Sequence, residues 1–431
     1  MANSRLAELK SERQERIAQK QEGTLQKHHA AIAMFFVLLV SYVLNSIDRQ
    51  LFSVLVIEVR EAMSLSLPQV GLASTMFTLG MGLAGLPTGY LLSFMPRKIV
   101  VLLGLLIFSV ATLLTAYANG LPDLLAYRFV SGLGEAMQVT ALIAIGASYF
   151  HERRALMTGA VSFAYGVGAF VGPGITASLL KAYDWKMPFV VFGLAGFIMM
   201  AIVAICVKPW FSESTAKEQH ASGDRGHLPG LGANETIWNA TTVALGIASV
   251  CSGLAVFGLA GLYPTYLRSA LGFTPQQAAL VMGAMGAGGF LAPLGGWLGD
   301  RIGYHKILMV ALPLAALSGG LAFTELDRSL ILHAMVAGTF GIAVLSLLYS
   351  NLSAIIISSM GPARTAQTSG LFIASYYIPA AFAGFLLAQL KEALSWTAAG
   401  VLQTSGFALI ALILIMVAGT TRRSAISPVK T

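Results

Sequence analysis

Twelve apolar runs, each long enough to cross a lipid bilayer, leave this 431-residue chain little choice of fold. The runs are 30–59, 69–94, 98–118, 121–148, 156–181, 186–207, 238–265, 275–298, 304–324, 329–357, 366–390 and 396–420. A crossing helix needs about 20 residues. Hydrocarbon offers backbone N–H and C=O groups no outside partner, so each run must close its own hydrogen bonds, as a helix does. The expected fold is an all-α membrane protein with twelve transmembrane helices. Charged residues make up 11% of the chain, against roughly 25% in soluble domains.

The breaks between runs set the organisation. One long polar interruption, rich in Ser, Gly, Glu, Lys and His, divides the spans six and six. We expect a tail at 1–29, a six-helix bundle at 30–207, a flexible cytoplasmic linker at 208–237, a second bundle at 238–420 and a tail at 421–431. The halves are weakly alike: Gly82 and Gly89 in span 2 stand at the same offset as Gly289 and Gly296 in span 8. Nineteen of the 27 Lys and Arg residues fall in the tails and even-numbered loops, and six in the odd-numbered loops. Basic residues in short loops mark the cytoplasmic side. Both termini are therefore expected in the cytoplasm, with the chain in a bacterial-type inner membrane. The net charge of +8 reads as topology and not as nucleic-acid binding.

Several functions have no signal here. Cys206 and Cys251 lie in or beside apolar runs and read as free thiols, without a zinc framework. No metal or cofactor is expected. Residues 1–29 carry no short apolar core with a cleavage site, so span 1 should serve as the insertion signal. The sequon-like Asn234-Glu235-Thr236 falls in the expected cytoplasmic linker, where glycosylation is not expected. No phosphate loop of the type GxxxxGK[ST] is present, so an ion or solute gradient must supply the energy. The chain is expected to be a monomer.

Four charges lie where charge is expensive. Asp48 and Arg49 sit inside span 1, and Arg128 and Glu135 inside span 4. A charge at membrane depth costs at least about 2.5 kcal/mol and usually faces a bundle interior or a watery path. Arginine stays protonated, so Asp48 and Glu135 are the candidate proton carriers. Burial pushes a carboxyl pKa up and a neighbouring cation pushes it down. Arg49 can hold a carboxylate by two parallel hydrogen bonds; the alternative is a fixed pair with Asp48 or Glu135. Adjacent residues point about 100° apart on a helix, so Asp48 need not pair with Arg49. Arg128 lies two turns before Glu135 on nearly the same face and nearer the span end, which favours a structural or gating role. No other acid is read as lying inside a span. The C-terminal half offers no deep ionisable group, but Asn351, Tyr376 and Tyr377 lie deep enough to meet a substrate, as does Gln138 in span 4. His333 reads as structural, and Tyr263 and Tyr266 as part of an interfacial aromatic belt.

These features resemble the major facilitator superfamily over roughly residues 28–420. The loop after span 8 carries Gly296, Leu298, Asp300, Arg301, Gly303 and Lys306, which fit the family pattern Gly-x-Leu-x-Asp-Arg-x-Gly-x-x-Lys. The loop after span 2 keeps Gly89, Leu91, Arg97 and Lys98, but has Ser93 for the acid and Pro96 for the glycine. The resemblance implies two pseudo-symmetric six-helix bundles rocking about a central cavity. It implies a cytoplasmic gate that uses Asp300, Arg301, Arg97 and Lys98, with another partner replacing the lost acid. The string Asn45-Ser46-Ile47-Asp48-Arg49, with Arg128, Gly132, Gly134, Glu135 and Ala136 in span 4, is similar to the anion:cation symporter group. That likeness implies that the two acids carry protons and that Arg49 grips a carboxylate. Spinster-type lysolipid transporters resemble the same string. Span 5 has Gly159, Gly168, Gly172 and Pro173, most of a pattern found in proton-coupled antiporters, with Thr176 where its last glycine would stand. The leading expectation is proton-coupled uptake of a small organic anion, such as a carboxylate or sugar acid. Lysolipid transport and proton-driven export of drugs or metabolites are the alternatives. The expected partners are that substrate, protons and membrane lipids. No nucleophile–base or metal constellation points to an enzyme.

Overall fold

A computed structural model describes residues 2–150, 154–213, 239–357, 359 and 365–426, and their regular structure is entirely helical. Eleven helices among these residues are long and apolar enough to cross a membrane. Span 1 belongs to one helix, Ala2–Ala62. Spans 3 to 6 are Arg97–Thr115, Leu121–Tyr149, Arg154–Ala182 and Lys186–Cys206. Span 7 is Ala240–Ser269 and span 9 is Tyr304–Ala322. The linker region begins with one helical turn, Pro209–Ser212. Residues 214–238, including Asn234, lie outside the described residues.

The twelfth expected span, span 2, is split in two. Leu67–Thr75 and Phe77–Phe94 meet at Met76. The Thr75 hydroxyl turns out to the Ala381 carbonyl (2.7 Å) and the Thr78 hydroxyl bonds back to the Thr75 carbonyl (2.7 Å). Hydroxyls that compete for backbone carbonyls bend helices in this way. Span 8 is also interrupted: a 3₁₀ turn at Gly288–Leu291 separates Pro275–Ala287 from Ala292–Ile302. Pro293 has no N–H to continue the first ladder. Span 10 widens to a π-helical turn at Ile342–Leu348 between Leu330–Gly341 and Tyr349–Ile357. Span 11 breaks just after Pro379, between Thr365–Ala380 and Ala383–Ala393.

Small residues let the helices touch backbone to backbone, the main route to association where lipid removes the hydrophobic drive. A Cβ on Gly132 would strike the Phe77 backbone, and one on Gly134 would strike Gly104 and Phe108. These crossings lock span 4 against spans 2 and 3 and hold its polar face inward.

The two six-helix bundles meet along two seams. Between spans 2 and 11, Gly71 abuts the Gly384 carbonyl, and Gly82 abuts Tyr377 and Ile378. Between spans 5 and 8, Gly166 abuts Gly289 and Gly286 abuts Ala169. At the face opposite the chain termini, Arg268 at the end of span 7 grips Glu58 at the end of span 1. Its Nη1 donates to Glu58 Oε2 (2.9 Å) and to the Val54 carbonyl (3.1 Å), and its Nη2 donates to Glu58 Oε1 (2.5 Å). Beneath this fork, Val54, Ala177 and Ala279 from spans 1, 5 and 8 form a small apolar plug. Glu58 lies within the first apolar run, so the reading that span 1 holds no further acid is corrected here.

The fork should keep this face shut. In a background lacking Cys206 and Cys251, a cysteine at Ala279 should label slowly with a membrane-impermeant maleimide. Glu58→Gln should raise that rate severalfold, since it leaves the Arg268 fork with a neutral partner. Equal rates in the two proteins would show that the fork does not hold the face closed.

Candidate functional site

The four buried charges pair crosswise between spans 1 and 4. Arg49 Nε donates to Glu135 Oε2 at 2.6 Å, and Arg128 Nη1 donates to Asp48 Oδ2 at 3.2 Å. Asp48, Arg128 and Glu135 are at most 1% exposed, while Arg49 retains some exposure. Ser131 links the pairs, donating to Asp48 Oδ2 at 3.2 Å with Glu135 Oε1 at 3.5 Å. Thr112 of span 3 donates to Asp48 Oδ1 at 3.1 Å. Buried carboxylates need such partners, because an unpaired one costs several kcal/mol.

A polar chain extends from the Arg49 pair. Arg49 Nη2 donates to Asn45 Oδ1 (3.2 Å), Asn45 Nδ2 to Gln138 Oε1 (3.0 Å) and Gln138 Nε2 to Ser41 Oγ (2.9 Å). Side chains on a helix tilt toward its N-terminus, which brings Arg49 over Asn45. Its guanidinium lies 5.8 Å from the Tyr42 ring and 5.5 Å from the Tyr165 ring. Arg128 is held differently. It sits between the Phe52 and Phe77 rings (5.5 and 5.1 Å), and its Nε and Nη2 have no hydrogen-bond partner among the described residues.

The C-terminal bundle meets this site with aromatic rings. Tyr377 and Tyr349 lie within electrostatic reach of Arg49 and Tyr42. The Tyr377 hydroxyl donates to the Tyr349 hydroxyl at 3.0 Å. Tyr376 packs behind them, 5.2 Å from the Tyr377 ring and 3% exposed. Phe257 touches Tyr376, Tyr377 and, across the interface, Phe77. Asn351 is not brought to this cluster. It is buried against span 8, with Nδ2 donating to the carbonyls of Gly295 (3.1 Å) and Leu347 (2.7 Å).

The residues singled out for gating are spread more widely. Asp300 accepts from the hydroxyl of Tyr304 at the start of span 9 (2.8 Å), and Arg301 lies over the Trp297 ring of its own helix (4.7 Å). The backbone N–H groups of Arg97 and Lys98 donate to the Glu213 carboxylate at 2.9 and 3.0 Å. Gly168 and Gly172 are the places where span 5 crosses span 1, against Ser46 and Ile47. Pro173 lies inside the span 5 helix. His333 has both ring nitrogens engaged, Nδ1 with the Tyr263 hydroxyl (2.8 Å) and Nε2 with the Glu325 carbonyl (3.2 Å). Tyr263 and Tyr266 do not form the expected interfacial belt. They are 0% and 2% exposed, packed with Phe323 and His333 inside the bundle.

Sequence reasoning missed Ser41, Tyr42, Thr112, Ser131, Tyr165 and Tyr349. A signal existed for some of them. Ser41, Tyr42, Asn45 and Arg49 recur at helical spacing, as do Arg128, Ser131, Glu135 and Gln138, so each set makes one polar stripe. Nothing in the sequence pointed to Tyr165 or Tyr349, which arrive from other helices.

Comparison with known proteins fits this architecture. The profile described as Major Facilitator Superfamily matches residues 38–384 and 245–429. A probable sulfoacetate transporter of Cupriavidus necator is 28% identical over 67% of this chain and 70% of its own length. A probable L-galactonate transporter of Escherichia coli is 27% identical over 40% of this chain, and a 4-hydroxybenzoate transporter of Pseudomonas putida is 24% identical over 53%. The chain spans only 37% and 57% of the length of these last two. Among solved structures, an inward-facing bacterial homologue of the human lysosomal transporter Spinster superposes with a TM-score of 0.70. It covers 90% of this chain and 96% of its own, at 18% identity, and so supports the fold alone.

The crossed pairing makes a stability prediction. Arg128→Gln strands Asp48 and should destabilise the purified protein by roughly 3 kcal/mol, the scale for breaking a buried pair. Adding Asp48→Asn should recover most of that loss, because no buried charge is then left alone. A double variant as unstable as Arg128→Gln would mean that the two residues do not form the pair.

Proposed function

Given that the chain belongs to the major facilitator superfamily, a family of transporters and not enzymes, we propose that it takes up a small organic anion together with protons by alternating access. The crossed cluster of two acids and two arginines, its charges cancelling, is the observation that carries this reading. An anion that entered alone would leave an uncompensated charge in a low-dielectric site, and so would a proton alone. Both costs vanish when one carboxylate and one proton arrive together.

The geometry gives each residue a role in this cycle. Arg49 is the arginine that keeps some exposure, and the rings Phe257 and Tyr377 of the other bundle pack against Ala136, next to its partner Glu135. Its Nε is occupied by Glu135, while its Nη1 is used by neither of its side-chain bonds. When Glu135 takes up a proton, its hold on Arg49 weakens and the guanidinium is free to receive a substrate carboxylate on two parallel bonds. Ser131 carries the change to Asp48 and so to Arg128, and Asp48, the second carrier, takes the proton over from Glu135. Gln138 and Asn45 hold Arg49 in orientation, and Tyr377 and Tyr376 form the opposite wall. A fixed structural pair would instead leave ligand affinity in Arg49→Lys unchanged.

In this reading both termini are cytoplasmic and the protein is a monomer of the inner membrane, with bundles at 30–207 and 238–420. The face closed by Glu58 and Arg268 is then the external one. Asp300, Arg301, Arg97 and Lys98 lie at the cytoplasmic gate.

Proteoliposomes test the cycle. Anion uptake should be driven by an inward proton gradient and should fall as external pH rises, because deprotonated Glu135 competes for Arg49. Glu135→Gln should bind substrate with little pH dependence and lose gradient-driven accumulation. Asp48→Asn should lose accumulation as well. Arg49→Lys keeps the charge without the planar fork and should weaken substrate binding about tenfold, or ~1.4 kcal/mol, with little change in Tm. Unimpaired accumulation in both acid variants would remove them as carriers. Unchanged affinity in Arg49→Lys would remove the carboxylate grip.

A further inference from the structure

We infer that the transported anion is a carboxylate on an aromatic, largely apolar body, its ring seated on the wall formed by Phe257, Tyr349 and Tyr377. This rests on the reading of Arg49 as the carboxylate grip and specifies what lies beyond the carboxylate.

The wall opposite Arg49 is built of rings. Phe257, Tyr349 and Tyr377 are partly exposed, and Phe372 and Tyr376 back them at 3% exposure each. The rings touch at 5.3 to 6.3 Å, mostly edge to face, with Tyr349 against Phe372, Tyr376 and Tyr377. Such a packed set is rigid and presents planar surface at little entropic cost. An aromatic guest on it gains the offset or edge-on contacts that rings prefer.

A polyhydroxylated acid needs something else: several directed donors and acceptors along its length. The C-terminal bundle owns such groups but uses them internally. Asn351 is bonded to the carbonyls of Gly295 and Leu347, and Gln403 to those of Leu254 and Ala383. Ser346 is bonded to the Gly288 carbonyl, while Ser350 and Ser375 bond carbonyls of their own span. On the wall itself, the Tyr377 hydroxyl donates to the Tyr349 hydroxyl, so this pair is directed at each other and not at a guest. The amide oxygens of Asn351 and Gln403 have no hydrogen-bond partner among the described residues, but both side chains are wedged at helix contacts, Asn351 against Gly299 and Gln403 against Gly258, and neither is part of the ring wall.

A lysolipid also carries an apolar body, but its long chain needs a way out sideways. The two seams through which it would leave are closed by direct glycine contacts, Gly71 on Gly384 and Gly166 on Gly289. The enclosed wall therefore suits a compact ring.

Binding to the purified full-length chain decides this, with 4-hydroxybenzoate, benzoate, galactonate, sulfoacetate and a lysophospholipid as probes. The two aromatic acids should bind at least about tenfold tighter than the aliphatic acids, the effect of one good ring contact. Tyr377→Leu and Phe257→Leu should each reduce that preference, costing the aromatic acids more affinity than sulfoacetate. Tyr377→Phe, which keeps the ring, should retain the preference. Tighter binding of galactonate, sulfoacetate or lysolipid overturns the inference, as does an aromatic preference that survives both leucine variants. If galactonate or sulfoacetate binds more tightly and Arg49→Lys weakens it, the anion reading stands without the aromatic one. Aromatic acids that bind equally well to Arg49→Lys overturn the carboxylate grip itself. Binding of none of the probes counts against both.

Discussion

The structure depends on two ion pairs that cross between spans 1 and 4. Asp48 and Arg49 are neighbours in sequence and opposite in charge, yet each finds its partner on the other helix. The cause is helical geometry: successive side chains diverge by about 100°, so the neighbours leave span 1 in different directions. Arg128 and Glu135 are two turns apart on one face of span 4 and can meet both. Ser131 stands between them and touches both acids. No member can be removed without stranding another in a medium where an isolated charge is costly.

Placing all four charges in one bundle has a consequence for motion. Two bundles can rock past each other only if the sliding surface carries few directional contacts. The central interface consists of rings and glycines: Phe77 on Phe257, Gly82 on Tyr377 and Gly166 on Gly289. The polar links between bundles described here include Thr75 to Ala381, Gln276 to the Ala177 carbonyl, and the Glu58–Arg268 fork. The fork and Gln276 lie toward the face opposite the termini, where water can take over their hydrogen bonds as it opens. The buried ion pairs need not separate at all. Phe77 joins the two systems, since it lies over Arg128 on one side and against Phe257 on the other.

Much of this is legible in the sequence. Backbone satisfaction in hydrocarbon made the fold a bundle of helices, and loop breaks gave their number. Span 2 differed because Thr75 and Thr78 draw on backbone carbonyls, a tertiary effect that hydropathy does not register. The charged centre was legible because charge in an apolar run is rare. Its polar neighbours Ser41, Asn45, Ser131 and Gln138 were encoded in helical spacing from those charges. The aromatic wall was half legible: Tyr376 and Tyr377 stood out by depth, while Tyr349 and Phe257 look like ordinary span residues until the helices are assembled. Asn351 shows the opposite limit. Depth and polarity singled it out, but whether an amide faces a cavity or a neighbouring helix depends on rotation about the helix axis. Here the close approach of Gly295 and Gly299 draws it inward.

The two loop motifs show how far the internal symmetry reaches. In the second copy, Gly303 adopts φ of 103°, a conformation that suits glycine, and starts span 9 directly. In the first copy, Pro96 sits at φ of −55° and cannot make that turn. The first copy thus reaches span 3 by a different backbone path, and it also has Ser93 where the second copy has Asp300. The need for negative charge at the start of span 3 nevertheless persists, because four N–H groups there lack intrahelical partners. Glu213, which follows span 6, meets it by accepting from the N–H groups of Arg97 and Lys98. Its own segment is tied down as well, with Phe211 buried against Tyr149 and Phe150. The start of the segment joining the two halves is thus part of the N-terminal bundle's packing. The symmetry that governs the spans gives way at this loop to the Glu213 contact.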